Sequence, residues 1–504
     1  MSSLKSRLND RWLYIPIILL GIYLIFRIID QSQMINVFPL HYTNDSPAYM
    51  AMLYFLAKYG YHSLVPNWLN GFVLFQFYPP GWFYFTLPIY YLTKNIQLST
   101  FISLLVILIS IFLTIFILGK QQKFSIIKRI AFFLFLFGNS IAIGNFIRLG
   151  RLPEIFAWMN FIIICAFILY YKDHEINKNF YWIILPLAVL MLSHPGVIFI
   201  FFSSFIWLTF IIIKKRKEKI KIIISFVISL ILSSFWWVPF ILSVIKEKTM
   251  VSHPFFREAI LITKDWLPTF IVSFIIPIIL WITFYYYWKS KNKSKKELIL
   301  FGPLILLSIL FFFKIPIFIP ILKNIFPDIY MFAFMFFSLF FFFSTNFDLI
   351  NKKLKVLILI FIILFPIISI SVSMLHTSNF VVHTELEKDA ISLLPNVKER
   401  FLVIQSPSPT LYDRAFYAYS AIYYNLSTSS GYTTFGTEPK DYGEKLADLD
   451  RNFKDIPCKE IKDNLNYLKT KEIITFDENC NKLYNCGFVQ IAKKNNVCLY
   501  QIYK

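Results

Sequence analysis

The stretch His41-Tyr-Thr-Asn-Asp45-Ser-Pro47 places an acid just past the first apolar run of the chain. Acids are scarce here, because residues 1–375 contain 13 Asp and Glu against 34 Lys and Arg. Ser46 is a good N-cap and Pro47 suits the first helical position, so a helix is predicted from there to about Lys58, before Gly60. Asp45 would then lie at the positive end of the helix dipole, either as a catalytic carboxylate or as a plain capping residue.

The composition is that of a membrane protein. The 504 residues are 57% hydrophobic and 19% aromatic, more apolar than a soluble domain. The net charge is +21, but residues 376–504 carry 16 basic and 16 acidic side chains, so the excess lies entirely in the apolar part. That distribution indicates a membrane orientation signal and excludes nucleic acid as a partner.

Eleven apolar runs approach the length of a bilayer crossing, which predicts a polytopic α-helical membrane protein with about 11 transmembrane helices. The runs are 12–29, 98–119, 130–147, 154–171, 179–193, 196–213, 220–244, 267–288, 298–313, 329–346 and 356–375. No small-residue cleavage site follows the first run, which is predicted to be an anchor. Basic clusters precede the first run and follow the even-numbered runs up to the tenth, so all lie on one side. By the positive-inside rule that side and the N-terminus are cytoplasmic, in the plasma membrane.

The long segments 30–97, 245–266, 314–328 and 376–504 then lie on the outer side. Two domains are predicted: a transmembrane domain over 1–375, with 30–97 as its first outer loop, and a small extracytoplasmic α+β domain over 376–504. Alternating apolar and polar residues, many of them β-branched, predict the strands of this domain. Apolar residues at helical spacing predict its helix. The predicted strands are 402–404, 472–475, 488–492 and 497–502, and the predicted helix is 442–453.

Four of the five cysteines lie in this C-terminal domain, at Cys458, Cys480, Cys486 and Cys498. An even number fits two disulfides in an oxidising space, and reduced, buried thiols are the alternative. Asn425-Leu-Ser427 is a glycosylation sequon in the same domain and agrees with an outer location.

A second helix is predicted in the first outer loop, from Pro80 to Tyr90. It is too aromatic for water and too broken to span, so both loop helices are predicted to lie in the membrane interface. Aromatic side chains prefer the headgroup level. Those expected there are Trp68, Tyr78, Trp82, Tyr84 and Tyr90.

This loop resembles the first outer loop of the GT-C superfamily of membrane glycosyltransferases. More narrowly, it is similar to the prokaryotic membrane family labelled "6-pyruvoyl-tetrahydropterin synthase-related", a label that implies no pterin chemistry. The resemblance rests on Asp45-Ser-Pro47, Gly60, Pro66-Asn-Trp68, Gly71, Phe77-Tyr-Pro-Pro80 and Tyr84. It implies a GT-C-like fold, an essential acid in the first outer loop and two interfacial helices. It covers the loop and the multi-span layout, and the C-terminal domain only in position.

The segment Arg148-Leu-Gly-Arg151-Leu-Pro-Glu154 lies between the third and fourth runs, on the outer face. Arginine suits phosphate because its fork donates two hydrogen bonds at once, so an anion site is predicted. GT-C enzymes often carry a second acidic motif in this loop, and Glu154 fits that position. The alternative is interface anchoring by the arginines, with Glu154 as a salt-bridge partner.

Two further outer segments carry ionisable groups. His194, in the turn Ser193-His194-Pro195, is either a functional group or a hydrogen-bonded turn residue. His253 and Arg257 lie in the segment 246–258, either a mobile loop that holds phosphate or sugar or a solvated charged loop. Trp236-Trp237 is predicted to be interface aromatics. It lacks the rest of the Trp-Trp-Asp-Tyr-Gly-type motif of oligosaccharyltransferases, which argues against transfer of whole glycans to sequons.

These residues predict a glycosyltransferase that moves a sugar from a polyprenyl-phosphate donor to a lipid, glycan or protein acceptor, and the resemblance to GT-C enzymes implies inversion at the anomeric carbon. Asp45 would be the general base, and Arg151 would stabilise the leaving phosphate. Further candidate substrate-binding residues are Tyr78, Arg148, His194, His253 and Arg257. For a diphosphate donor, Asp45 and Glu154, with His194, would hold Mg²⁺ or Mn²⁺, whereas a monophosphate donor needs no metal.

Two other classes stay open at this point. A transporter or lipid flippase would need ionisable groups near the bilayer midplane and broken helices in matched halves, whereas the acids here lie at the surface. A non-catalytic envelope assembly protein with a degenerate GT-C fold would keep the spans and lose only a few groups.

Overall fold

The computed structural model describes residues 11–40, 45–171, 174–202, 216–247, 306–307, 309–313, 315–318, 327–344, 352–405, 414–431 and 440–502. The chain forms two compact units. The first unit contains Met1–Gln31, Leu104–Trp237 and Ser252–Asn379. The second unit contains Ser32–Ser103, Val238–Val251 and Phe380–Lys504. The predicted division at residue 375 stays a prediction.

Helices dominate the described part of the chain. In order they are α1 (Tyr14–Ser32), α2 (Ser46–Tyr59), α3 (Gly81–Thr93), α4 (Ile96–Gln121), α5 (Ile126–Phe137), α6 (Leu152–Tyr171), α7 (Ile184–Met191), α8 (Arg216–Glu247), α9 (Pro327–Ser344), α10 (Lys352–His376), α11 (Glu385–Leu393), α12 (Arg414–Tyr424), α13 (Lys440–Arg451), α14 (Cys458–Tyr467) and α15 (Glu478–Asn485). The strands are β1 (Leu64–Val65), β2 (Phe72–Val73), β3 (Phe401–Val403), β4 (Glu472–Phe476), β5 (Val489–Lys494) and β6 (Val497–Gln501).

Several of these helices are long and apolar enough to cross a membrane. Within the described ranges there are 5, and a sixth if α5 and the segment Ser140–Arg148, bent by 50° against each other, count as one span. The five are Arg11–Ile35, Ile96–Gln121, Leu152–Tyr171, Lys217–Lys246 and Val356–His376. The predicted run 267–288 and parts of 196–213 and 298–313 lie outside the described residues, so the count of eleven stays a prediction.

The break after α5 has a local cause in Asn139. Its Oδ1 accepts hydrogen bonds from the N–H groups of Ile141 and Ala142, at 2.9 and 3.1 Å. Its Nδ2 donates to the carbonyls of Phe135 and Leu136, at 2.9 and 2.7 Å. One buried side chain therefore satisfies both helix ends at the bend, where backbone groups would otherwise lack partners in an apolar interior.

The core of the first unit is built from phenylalanine. Every residue of α9 from 329 to 343 is buried, as expected for a helix that is apolar all round. Its Phe332 packs on Trp158 of α6, with ring centroids 4.6 Å apart, and on Phe137 at the end of α5, at 5.3 Å. Tilted and edge-on contacts of this kind favour one defined packing. They hold the ends of α5 and α6, which flank the segment from Arg148 to Glu154.

The second unit combines the first outer loop with a mixed sheet. The sheet order is β3-β4-β6-β5, with β3 and β4 parallel and the other pairs antiparallel. The predicted strands are found at these places with ends shifted by one or two residues, and the predicted helix 442–453 is α13. Local patterns did not indicate α11, α12, α14 and α15, which are short.

The Asn67-Trp68 pair of the outer loop ties that loop to the segment after α12. Asn67 Nδ2 donates to the Leu426 carbonyl at 3.0 Å, and the Asn67 carbonyl accepts from the Thr428 N–H at 2.8 Å. Trp68 is 1% exposed, packs edge-on against Phe55 at 5.1 Å and donates from Nε1 to the Tyr417 carbonyl. The loop is therefore part of the folded core of the second unit.

Three of the loop aromatics predicted at the headgroup level are buried in the protein, and their depth in the membrane stays a prediction. Trp68, Tyr78 and Trp82 are buried, whereas Tyr84 is exposed and Tyr90 is partly exposed. Large aromatic side chains gain more from full burial against other rings than from an interface, when such a core is available. That core arises from distant segments, which the local sequence does not show.

The C-terminal cysteines form two disulfides in the structure. Cys458 at the start of α14 is bonded to Cys486, with Cα atoms 5.2 Å apart, and Cys480 in α15 to Cys498 in β6, at 6.0 Å. Cys165, in α6, is buried and unpaired. The two bridges staple α14, α15 and β6, in a region with a small core.

We expect peptide mapping without reduction to recover two linked peptides, one joining Cys458 to Cys486 and one joining Cys480 to Cys498. Cys165 should react with an alkylating reagent only after denaturation, because it is buried. Mass spectrometry of the purified protein measures both. Four alkylated C-terminal thiols in the native protein would contradict the pairing and the oxidising location.

Replacing Gly431 by alanine should lower the apparent melting temperature, because the new Cβ would lie 2.7 Å from Cγ and 2.8 Å from Cβ of Trp68. Overpacking of this kind costs about 1–3 kcal/mol. Gly21→Ala is the matched control, since its Cβ would meet Leu134 at 3.7 Å and alanine favours a helix interior. Equal melting temperatures for the two variants in detergent would refute the close packing at Trp68.

Candidate functional site

Asp45 is the N-cap residue of α2, one position earlier than predicted for the cap. Ser46 is the first helical residue, so the prediction that Ser46 is the N-cap is wrong. Asp45 makes no side-chain capping hydrogen bond, although its carbonyl accepts from the Tyr49 N–H at 3.3 Å. The half-buried carboxylate therefore lies at the positive end of a 14-residue helix, although it makes no hydrogen bond to the N–H groups of the first turn.

An aromatic cluster packs beside the start of α2. Tyr78 donates from its hydroxyl to the Tyr49 hydroxyl at 3.2 Å, and the Tyr49 ring lies 6.1 Å from Trp82 and 6.2 Å from Phe83. Trp82 is fully buried, and its indole N–H has no hydrogen-bond partner within the described ranges. A buried donor without an acceptor is costly, which is a reason to look for a ligand oxygen there. Tyr78 was predicted to contact substrate, and Trp82 was missed as a polar group.

In the first unit, two predicted residues, Arg151 and Glu154, lie together at the start of α6. Glu154 is 2% exposed and lies in the first turn of the helix. Its Oε2 is 3.8 Å from Nη1 of Arg151, and its Oε1 accepts from Trp158 Nε1 at 3.4 Å. The buried carboxylate is thus paired with a guanidinium that is itself 15% exposed, a geometry that orients Arg151.

His194 interacts with this group electrostatically. It lies in the turn after α7, and its Nδ1 is buried without a hydrogen-bond partner among the described residues. Burial, and to a smaller extent the positive charge of Arg151, lower the pKa of His194 from 6.5 to about 3. The imidazole is therefore neutral at physiological pH. It can donate or accept one hydrogen bond at Nδ1, depending on its tautomer.

Arg148 belongs to a different cluster. Its Nε donates to the Ser378 carbonyl at 2.9 Å, and its Nη2 to the Ser378 hydroxyl at 3.1 Å. Arg27 of α1 donates to the same carbonyl from Nη2 at 2.9 Å and from Nη1 to Asn379 Oδ1 at 2.8 Å. Arg27 was missed, although an arginine inside an apolar run is a recognisable signal. Arg148 and Arg27 hold the chain where α10 has ended.

Two other predicted site residues lie outside the described residues, and the Trp236-Trp237 pair lies in a helix. His253 and Arg257 lie outside the described residues. Trp236 is buried in α8, and Trp237 donates from Nε1 to the Leu230 carbonyl of the same helix, at 3.0 Å. Trp237 therefore bonds within its own helix, and the prediction that the pair is interface aromatics stays a prediction.

The predicted Mg²⁺ or Mn²⁺ set of Asp45 and Glu154, with His194, stays a prediction. Within the described ranges, no group of three or more His, Cys, Asp or Glu side chains could hold a metal ion. The Glu154 carboxylate contacts Arg151 and Trp158.

Comparisons with known proteins agree on the fold. No protein-family model matches the chain, and no curated protein matches its sequence. Among solved structures, the arabinofuranosyltransferase AftD from Mycobacteria is similar with a TM-score of 0.61 and 11% identity, over 96% of this chain and 40% of AftD. The oligosaccharyltransferase of Archaeoglobus fulgidus in its apo form is similar with a TM-score of 0.59 and 10% identity, over 94% of this chain and 71% of that protein.

A third structure is the Archaeoglobus fulgidus oligosaccharyltransferase AglB with an inhibitory peptide and a dolichol-phosphate. It is similar with a TM-score of 0.50 and 10% identity, over 93% of this chain and 70% of AglB. This chain spans 40% of the length of AftD. These proteins are an arabinofuranosyltransferase and an oligosaccharyltransferase, and the likeness to them covers nearly all of this chain. The protein is a membrane protein whose fold is similar to the folds of these two proteins.

Proposed function

We propose that this protein is a glycosyltransferase that uses a polyprenyl-phosphate-linked sugar as donor and works on the extracytoplasmic face, with inversion at the anomeric carbon. The observation that carries the proposal is the GT-C-like fold over nearly the whole chain, with an acid at the start of α2 in the first outer loop. Fold alone does not imply function, so the site residues carry the chemistry.

Asp45 is the proposed general base. Its carboxylate accepts the proton of the acceptor hydroxyl while the acceptor oxygen bonds to the anomeric carbon. The bond between that carbon and the donor phosphate breaks on the opposite face, and the phosphate leaves with the electron pair. The position at the start of α2 favours the ionised carboxylate, the form that a base requires. The carboxylate makes no capping hydrogen bond to the first N–H groups of the helix.

Arg151 is the proposed partner of the donor phosphate. Its contact with Glu154 holds the guanidinium in place, and the side chain is partly exposed, so a ligand can reach it. A positioned guanidinium stabilises the charge that builds on the leaving phosphate. The neutral His194 would add a hydrogen bond without adding charge, through its buried Nδ1.

The donor class draws on the AglB complex, which contains a dolichol-phosphate. Nucleotide sugars stay in the cytoplasm, so a transferase that works outside needs a donor carried by a lipid. The apolar helices suit an isoprenoid tail. The acceptor is a lipid, a glycan or a protein.

Replacing Asp45 by Asn should lower transfer at least about 10²-fold, because the amide cannot accept the proton. The assay measures radiolabelled sugar moved from polyprenyl-phosphate donors by the purified protein in lipid. Asp441→Asn, at an exposed position of α13, is the matched control and should retain activity. Retained transfer in Asp45→Asn, with unchanged melting temperature, would remove Asp45 from the mechanism. If the wild-type protein transfers no sugar from any polyprenyl-phosphate donor, the result favours a transporter or a non-catalytic envelope assembly protein over an enzyme.

Arg151→Lys should lower the rate of transfer, whereas Arg148→Lys should lower the stability of the protein. Lysine at 151 keeps a charge beside Glu154 but loses the fork, so kcat should fall about 10²-fold with little change in melting temperature. Lysine at 148 cannot reproduce the paired bonds to Ser378, so stability should fall by about 1–3 kcal/mol. Thermal unfolding and transfer rates are measured on both variants. The same loss of stability in both would contradict the separate roles.

A further inference from the structure

A cavity of about 450 Å³ lies in the second unit, at the amino ends of two parallel strands. Three chain segments meet there: the residues before β3, the residues before β4, and the residues after α12. The lining residues are Lys398, Glu399, Arg400, Asn425, Leu426, Ser427, Lys469 and Lys471. None of the proposed catalytic residues lines it, so it is separate from the chemistry described above.

The lining is strongly basic. Four of its side chains are Lys or Arg, and Glu399 is the one acid among them. Nε of Arg400 is buried without a hydrogen-bond partner within the described ranges. Lys58 of α2 donates to Asn425 Oδ1, which brings a fifth cation to the rim. Several positive charges around one cavity repel one another unless an anion joins them, so the charges favour an anionic ligand.

The walls are held by the backbone rather than by the basic side chains. The buried carboxylate of Glu472 accepts from the N–H groups of Lys398 and Glu399, at 2.9 and 3.1 Å. The Arg400 carbonyl in turn accepts from the N–H groups of Lys471 and Glu472, at 2.8 and 3.1 Å. The charge of Glu472 thus binds the turn before β3 to the start of β4. A prearranged cavity binds a ligand without the cost of ordering it.

Two lining residues have left-handed backbone conformations. Asn425 has φ +56° and Lys469 has φ +54°. Lys469 follows α14, where a left-handed residue commonly ends a helix and is usually glycine or asparagine. Lys94 and Lys123 have the same conformation just after other helices, so at Lys469 this conformation places a cation at the cavity but is explained by the helix end.

We propose that this cavity binds a phosphate-bearing group of the acceptor glycan. Lysine and arginine both suit phosphate, and the volume admits a sugar phosphate. A membrane surface is the competing source of phosphate, but Leu426 is the single apolar residue of the lining, and a surface that enters lipid needs several. The claim that the phosphate belongs to the acceptor rests on the proposed function. The claim that the cavity binds phosphate does not.

The test uses the full chain in nanodiscs of uncharged lipid and measures binding of glucose 1,6-bisphosphate and of inorganic pyrophosphate by calorimetry. The variant is Lys469→Gln with Lys471→Gln, which removes two cavity charges. The matched control is Lys493→Gln with Lys494→Gln, which removes two exposed charges from β5. We expect the cavity variant to bind both ligands about tenfold more weakly and the control to bind them like the wild type. Glucose should not bind.

Four outcomes would overturn the proposal. No binding of either phosphate compound refutes the site. Equal weakening in the cavity and control variants shows general charge attraction only. Binding of pyrophosphate without glucose 1,6-bisphosphate refutes the glycan phosphate as ligand. Loss of both binding signals when the same measurement is made in nanodiscs of anionic lipid also refutes it, because lipid headgroups then occupy the cavity. The Asp45→Asn variant should bind both phosphates like the wild type, so a failure of the catalytic proposal is separate from a failure of this one.

Discussion

Arg27 and Arg148 donate to one backbone carbonyl, that of Ser378, and the first unit depends on this kind of pairing. Its interior is lined by phenylalanine and leucine, so water does not compensate a buried donor. A guanidinium there needs protein acceptors, and a backbone carbonyl at a helix end supplies one. Asn139 follows the same rule at the bend after α5, where one amide satisfies four backbone groups.

The same constraint separates two arginines that look alike in sequence. Arg148 and Arg151 are three residues apart in one segment, and both suit phosphate by type. Arg148 is buried, and its N–H groups go to Ser378. Arg151 is partly exposed and held by Glu154, with His194 close enough for its charge to act on the imidazole. Burial and partners decide which guanidinium can meet a ligand.

The second unit shows how a loop becomes a core. Asn67 and Trp68 carry part of the resemblance to GT-C enzymes. Asn67 bonds to the segment after α12, and Trp68 bonds to Tyr417 within α12. The adjoining backbone forms one wall of the basic cavity. Structural residues of the outer loop and a candidate ligand site are therefore connected through a few backbone hydrogen bonds. Gly431 is required at this place, because any side chain would meet the Trp68 ring.

The sequence alone determined the membrane character, the helix after Pro47 and its end at Gly60, and the four C-terminal strands. These features depend on hydrophobic length, alternation and capping, which are local. It also pointed to Asp45, Arg151, Glu154 and His194 as unusual polar residues for their surroundings. The tertiary structure alone decided the cysteine pairing, the burial of Trp68 and Trp82, the contacts of Arg148 with Ser378, and the cavity formed by three distant segments, two of which carry lysine or arginine. Each of those depends on contacts between segments far apart in the chain, and no local pattern encodes which distant partner a side chain meets.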